Sequence, residues 1–324
     1  MESELNKKLV TNVLKYIPKN KKAVMYLVNA LNISRESAYR RIRGDIPFTV
    51  EELVSLAINL EFSIDQIYDQ EKQNHAFFDF SRIEKSSFDF FLFMLKKYNE
   101  LLEKTSYAKK MEAIMAFNII PSPFFAGFNH LFKFSYYQWL HQDKESCRNT
   151  PYSEIALPEE AVFIQKKLKA NLFKGSGIIL IYDMNIFLNL IKEIQYFHHR
   201  KLLTNDELLL LKEDTLRLIE QYEDIVQTGS YGQTKVQVYL SPLCINSNTV
   251  YYNYDDTVDS LFWVFTINPV IIRNSGIISM QLKWLNSLKR QSALISQSNE
   301  IKQAEFFYQQ REFVNKYLCE DNIF

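Results

Sequence analysis

The sequence predicts a mainly α-helical protein: an N-terminal five-helix bundle, then a larger, mostly helical α+β domain with a small, largely antiparallel sheet. Three observations carry this. Only 7 Gly and 8 Pro occur in 324 residues, too few for a turn-rich β fold. Apolar residues recur at three- and four-residue spacing along most of the chain. Only four short segments are β-branched, aromatic or alternating.

The first element, Glu4–Ile17, carries Leu5, Leu9, Val13, Leu14 and Ile17 on one face and ends before Pro18. Lys21–Leu31 repeats the pattern with Val24, Leu27, Val28 and Leu31. A tight turn, Asn32-Ile33, follows; Asn is the non-glycine residue that best tolerates a left-handed backbone. Ser34 caps a helix running to Arg43, and Gly44 stops it. Thr49 caps Val50–Leu60, with Glu51 and Glu52 in its first turn. Ser63 caps a short last helix, Ile64–Tyr68.

The third helix divides its residues unevenly. Ala38 and Ile42 form its only apolar stripe, and Ile33 and Phe48 staple its ends. Arg35, Glu36, Tyr39, Arg40 and Arg43 occupy the opposite arc. A short helix pinned at both ends with a polar outer face suits the DNA major groove, about 12 Å wide. Charge is placed accordingly. The 38 basic and 38 acidic residues cancel over the whole chain, yet ten basic residues face one acid, Glu36, between Lys7 and Arg43. Gly44–Gln70 then holds six acids and no Lys or Arg. Such a local field can orient a polyanion on a neutral protein.

Residues 24–68 resemble the lambda-repressor/Cro-like helix-turn-helix family. The family's Leu-Gly-Val-Ser turn appears as Leu31-Asn32-Ile33-Ser34. Gly44, Pro47 and Leu53-Val54-Ser55-Leu56-Ala57-Ile58-Asn59-Leu60 follow in the family's order. Asn32 replaces the usual Gly, Val28 the usual small Ala, and Val24 a Gln that often bonds a phosphate. The resemblance implies that the helix from Ser34 to Arg43 enters the major groove of double-stranded DNA. Arg35 and Arg40 are then candidates for guanine O6/N7, and Glu36 for cytosine N4. Ser34, Ser37 and Tyr39 would bond phosphate or base edges. Arg41, Arg43, Lys21 and Lys22 would contact phosphates, setting register and affinity. A basic solvated helix in a protein-interaction adaptor is one alternative, and an enzyme domain targeted by the helical module is another.

Residues 1–70 are thus expected to form the DNA-binding domain, 71–79 a polar linker, and 80–324 a regulatory or dimerisation domain. In that last domain helices are predicted at Ser87–Lys104, Tyr107–Ile119, Ser122–His141, Pro158–Leu172, Asn185–His199, Asn205–Thr228, Gly276–Ser296 and Asn299–Leu318. Strands are predicted at Gly177–Tyr182, Lys235–Leu240, Thr249–Tyr254 and Ser260–Asn268. Ala113–Phe132 is uncharged for a membrane length, but its Asn, His and Pro residues suit two buried helices joined at Pro121-Ser122-Pro123.

The aromatic run offers Phe124, Phe128, Phe132, Tyr136 and Trp139 as an effector pocket for a small molecule or peptide, against the simpler role of a buried central helix. Gly175-Ser176-Gly177 precedes a strand instead of opening a helix, so it reads as a turn and not a phosphate loop. His198 and His199 have no acid or thiol at ligand spacing, so no metal is expected. No cofactor motif and no catalytic constellation stands out, and an enzyme is not expected. Cys147, Cys244 and Cys319 are scattered, which points to free thiols in a cytoplasmic protein. The last helix pair could form a homodimer seam or pack within its own domain.

Overall fold

The structure is a computed structural model that describes residues 2–18, 22–60, 62, 87–255, 257–263, 269–272 and 274–319. The chain divides into two compact units, Met1–Phe77 with Asn274–Ile277, and Phe78–Arg273 with Ile278–Phe324. The helix expected at Ile64–Tyr68 and the linker expected at 71–79 lie outside the described residues.

In the first unit four helices are described: α1 (Glu2–Tyr16), α2 (Ala23–Leu31), α3 (Arg35–Ile42) and α4 (Val50–Leu60). Their apolar faces meet in one core of Val10, Val13, Ile17, Leu27, Ala38, Phe48, Leu56 and Phe62. Val10, Val13 and Ile17 lie at helical spacing on α1 and just beyond it, which is why this face is buried.

The second unit corrects the expected sheet. Among its described residues, eight strands form one mixed sheet in the order β3-β4-β2-β1-β5-β6-β7, with β8 also on β4. The strands are β1 (Met111–Phe117), β2 (Gly177–Asp183), β3 (Ser230–Tyr231), β4 (Thr234–Ser241), β5 (Thr249–Tyr254), β6 (Thr257–Trp263), β7 (Pro269–Ile272) and β8 (Ala293–Leu294). β1, β2 and β4 run parallel at its centre, and β5, β6 and β7 continue it antiparallel. The sheet is therefore neither small nor largely antiparallel, and the unit is α+β with a sizeable sheet.

The main error lies at Tyr107–Ile119, expected as a helix; β3, β7 and β8 also fall outside the four expected strands, β8 within the expected helix Gly276–Ser296. Met111-Glu-Ala-Ile-Met-Ala-Phe117 is rich in good helix formers, yet it is the strand linking the parallel and antiparallel halves. Its neighbours decide: β2 and β5 satisfy its backbone, and packing overrides a weak local preference. The expected helix Ser122–His141 is also divided. A 3-10 turn, Ser122–Gly127, comes first, and α6 begins only at Asn129. The uncharged stretch Ala113–Phe132 is consequently a strand, a 3-10 turn and the start of a helix, not two helices. Among the described residues no helix is long and apolar enough to cross a membrane.

The remaining helices are α5 (Ser87–Tyr107), α6 (Asn129–Asp143), α7 (Glu159–Asn171), α8 (Ile186–His199), α9 (Asn205–Thr228), α10 (Ser275–Gln291) and α11 (Glu300–Tyr317). Each parallel connection runs through a pair of them, α6–α7 from β1 to β2 and α8–α9 from β2 to β4. Alternation along the strands sorts the side chains between two faces. Ala113, Met115, Phe117, Ile178, Leu180, Val236, Val238 and Val250 join the main core, with residues of α5 to α9 and α11. Ala116 and Ile181 point the other way, against Leu285 and Leu288 of α10. α10 and α11 therefore pack on opposite faces of one sheet.

Two polar contacts hold buried junctions. Asp214 of α9, fully buried, accepts from the backbone N–H of His130 (2.8 Å) and Leu131 (3.2 Å), so it caps α6 where that helix has no side-chain cap of its own. Asn248 accepts from the N–H of Asn118 and Ile119 and donates to the Ile119 carbonyl, pinning the exit of β1.

Candidate nucleic-acid interface

The turn between α2 and α3 follows from three adjacent residues. Asn32 ends α2 in the left-handed region at φ 51°. Ser34 is extended, and its Oγ accepts from the Ser37 N–H at 3.1 Å, capping α3. Leu27, Ala38 and Leu56, each wholly buried, lock α2, α3 and α4 together beneath this turn. At the other end Gly44 takes φ 79°, and its carbonyl accepts from Asn6 Nδ2 of α1 at 3.0 Å.

The candidate residues separate into groups. Arg35, Glu36, Tyr39 and Arg40 are exposed, without a side-chain hydrogen bond or ion pair to another described residue. Tyr39 is 53% exposed. Arg43 is also exposed but pairs with Asp45 at 2.9 Å, a surface contact worth little in water. Lys22 is exposed beside the start of α2, whose first turn has neither a side-chain cap nor an acid. Open N–H groups and a cation at a helix start form a local positive end. Lys21 lies outside the described residues.

Arg41 sits elsewhere. It is 8% exposed, and its guanidinium donates from Nε to Glu52 Oε2 (2.8 Å) and from Nη2 to Glu52 Oε1 (2.7 Å). Its Nη1 donates to Ser37 Oγ at 2.6 Å. The side chain named above for phosphate is thus turned into the bundle, where it joins α3 to α4. Ser34 and Ser37 likewise spend their hydroxyl oxygens on the fold.

Glu52 is the residue that sequence reasoning passed over as a mere first-turn acid. It also closes a capping box with Thr49: Glu52 N–H donates to Thr49 Oγ1 (3.2 Å) and Thr49 N–H to Glu52 Oε2 (3.0 Å). The Thr49-x-x-Glu52 spacing is the signal for the box. Nothing local in the sequence signals the pairing with Arg41, eleven residues away. Neighbouring Glu51 is pulled below its ordinary pKa by backbone and Thr49 hydrogen bonds, so it stays ionised.

The five aromatic candidates of the second unit belong to its main core. Phe128 and Phe132 are buried, Tyr136 tilts against Phe91, and Trp139 lies against Phe90. Phe124 meets Phe117 and Phe173 edge-on and borders a narrow apolar cavity of about 40 Å³ beside Tyr98 and Trp263. The three cysteines are free thiols.

No curated protein and no solved structure matches the chain. Residues 7–79 match the family model of the BetR domain, a DNA-binding module of the helix-turn-helix type.

Proposed function

We propose that the chain is a sequence-specific DNA-binding transcription regulator of the lambda-repressor-like kind, acting as a cytoplasmic homodimer and not as an enzyme. The observation that carries this is the outer face of α3. Arg35, Glu36, Tyr39 and Arg40 are exposed and uncommitted on a helix whose two ends and inner side are fixed. In the groove, Arg35 and Arg40 read guanine and Glu36 reads cytosine, while Lys21, Lys22 and Arg43 hold phosphates. Arg41 contributes by fixing the angle of α3 on α4.

Residues 1–70 form the reader, 71–79 the linker and 80–324 the part that dimerises or senses a signal. Two readers then meet half-sites about 34 Å apart, one helical turn. In-vitro selection of bound duplexes from a random pool tests this directly. A palindromic consensus is expected, with binding that falls linearly on a log–log salt plot. Selected sites that bind no better than random duplex would end the proposal.

A further inference from the structure

α6 and α8 leave between them an open cleft of about 360 Å³. Small-molecule sites span roughly 300–1,000 Å³. α6 supplies Gln138 and His141, α8 supplies Lys192 and Glu193, Arg200 follows directly after α8, and the segment after α6 supplies Arg148. Helical spacing puts the α8 groups on one side: residues 193, 196, 197 and 200 share a face.

This wall is built, not incidental. Arg200 Nη2 donates to the Arg148 carbonyl (2.8 Å) and to Asn149 Oδ1 (3.0 Å). Its Nη1 donates to the Tyr196 hydroxyl, and its guanidinium lies over the Tyr196 ring at 5.5 Å. His141 and Tyr137 both hold the Thr150 carbonyl, so the segment from 148 to 150 is tied to α6 and α8 together. Arg148 of that segment and Lys192 are both exposed, and both line the cleft. Neither makes an ion pair with a described residue.

Glu193 is the unexpected member. Its carboxylate is half-buried and its hydrogen-bond partner is a neutral amide, Gln138 Nε2 at 2.8 Å. Burial raises its pKa above the ordinary carboxylate value, with the Gln138 bond opposing. Keeping a carboxyl in such a place without a paired cation costs free energy. Titratable groups held in clefts at such a cost cluster at functional sites. The cleft therefore combines an excess of cations with one carboxylate.

We propose that this cleft binds a small organic anion that also carries an ammonium donor, the anionic group meeting Arg148 and Lys192 and the donor meeting Glu193. An amino acid is the simplest molecule of that class. The site lies within the second unit and does not depend on the DNA-binding reading.

Titration calorimetry of the full chain with L-glutamate, glutarate and inorganic phosphate tests it. Glutarate is glutamate without its ammonium group. Saturable binding of glutamate is expected at millimolar concentration or below, with glutarate about tenfold weaker, the loss of one charge-assisted hydrogen bond. The Arg148→Ala/Lys192→Ala double variant alters only exposed side chains; it should keep its circular dichroism spectrum and lose binding at least tenfold. Glu193→Gln should narrow the gap between glutamate and glutarate. Heat from none of the three probes, or from phosphate alone, overturns the proposal. Equal affinity for glutamate and glutarate, or binding untouched in the double variant, overturns it as well.

Discussion

Arg41 of α3 grips Glu52 of α4 through two parallel bonds of 2.8 and 2.7 Å. The same carboxylate caps α4 through Thr49, so one acid fixes both the start of α4 and the pose of α3. Breaking a buried pair strands the surviving charge. Arg41→Ala should lower the stability of the N-terminal unit by about 3 kcal/mol. A urea melt of the unit followed by circular dichroism measures this. Arg41→Lys should restore only part of the loss, since an ammonium cannot match both carboxylate oxygens. A loss below about 0.5 kcal/mol, the value typical of an exposed pair, would mean the contact is surface-like.

Arg40 should behave in the opposite manner. It is exposed and supports no other described side chain, so Arg40→Ala should leave the melting curve unchanged. Affinity for the selected duplex should drop by about 1–3 kcal/mol, with preference relaxed at one base. Lys22→Ala should weaken selected and random duplex alike and flatten the salt slope by about 1. Fluorescence anisotropy at several salt concentrations separates the two.

The left-handed turn makes a third test. Asn32→Val places a β-branched residue at φ 51° and should cost about 1–2 kcal/mol. Asn32→Gly should be tolerated, since glycine occupies this region freely. Thermal melts of the two variants should therefore move in different directions or by clearly different amounts.

Glu193 gives the second unit a pH signature. Its folded carboxyl holds a proton to higher pH than the ordinary value of 4.5. The native state thus binds more protons than the unfolded chain in the window above 4.5, and stability declines as pH rises through it. Glu193→Gln keeps an acceptor for Gln138 and should remove that decline. The variant should gain stability relative to its parent from pH 4.5 upward. His141, held below its ordinary 6.5 chiefly by burial, contributes a slope of the other sign below 6.5. Subtracting parent from variant cancels it.

The helix-turn-helix was legible because its signals are local. Asn32, Ser34, Gly44 and Thr49 each specify a backbone geometry within a few residues, and the structure realises all four. Helices of the second unit with strong periodicity were equally readable; Asn205–Thr228 has the predicted bounds, with Thr204 and Glu207 closing a capping box. What failed was non-local. β1 is a strand because β2 and β5, distant in sequence, satisfy its backbone. Arg41 is buried because an acid eleven residues on waits for it. The cleft between α6 and α8 escaped for the same reason: Arg148 and Glu193 look like ordinary surface charges until the fold brings them to one wall.

The topology of the mixed sheet sets an order of events during synthesis. β1 pairs with β2, about sixty-five residues later, and with β5, whose last residue is Tyr254. Its two flanks cannot both be filled until most of the chain has left the ribosome. The N-terminal core is built from residues between Val10 and Phe62. Low contact order speeds folding and long-range pairing slows it. A nascent chain can thus form its N-terminal core while its sheet still has an open central strand, and chaperone dependence should fall on the second unit.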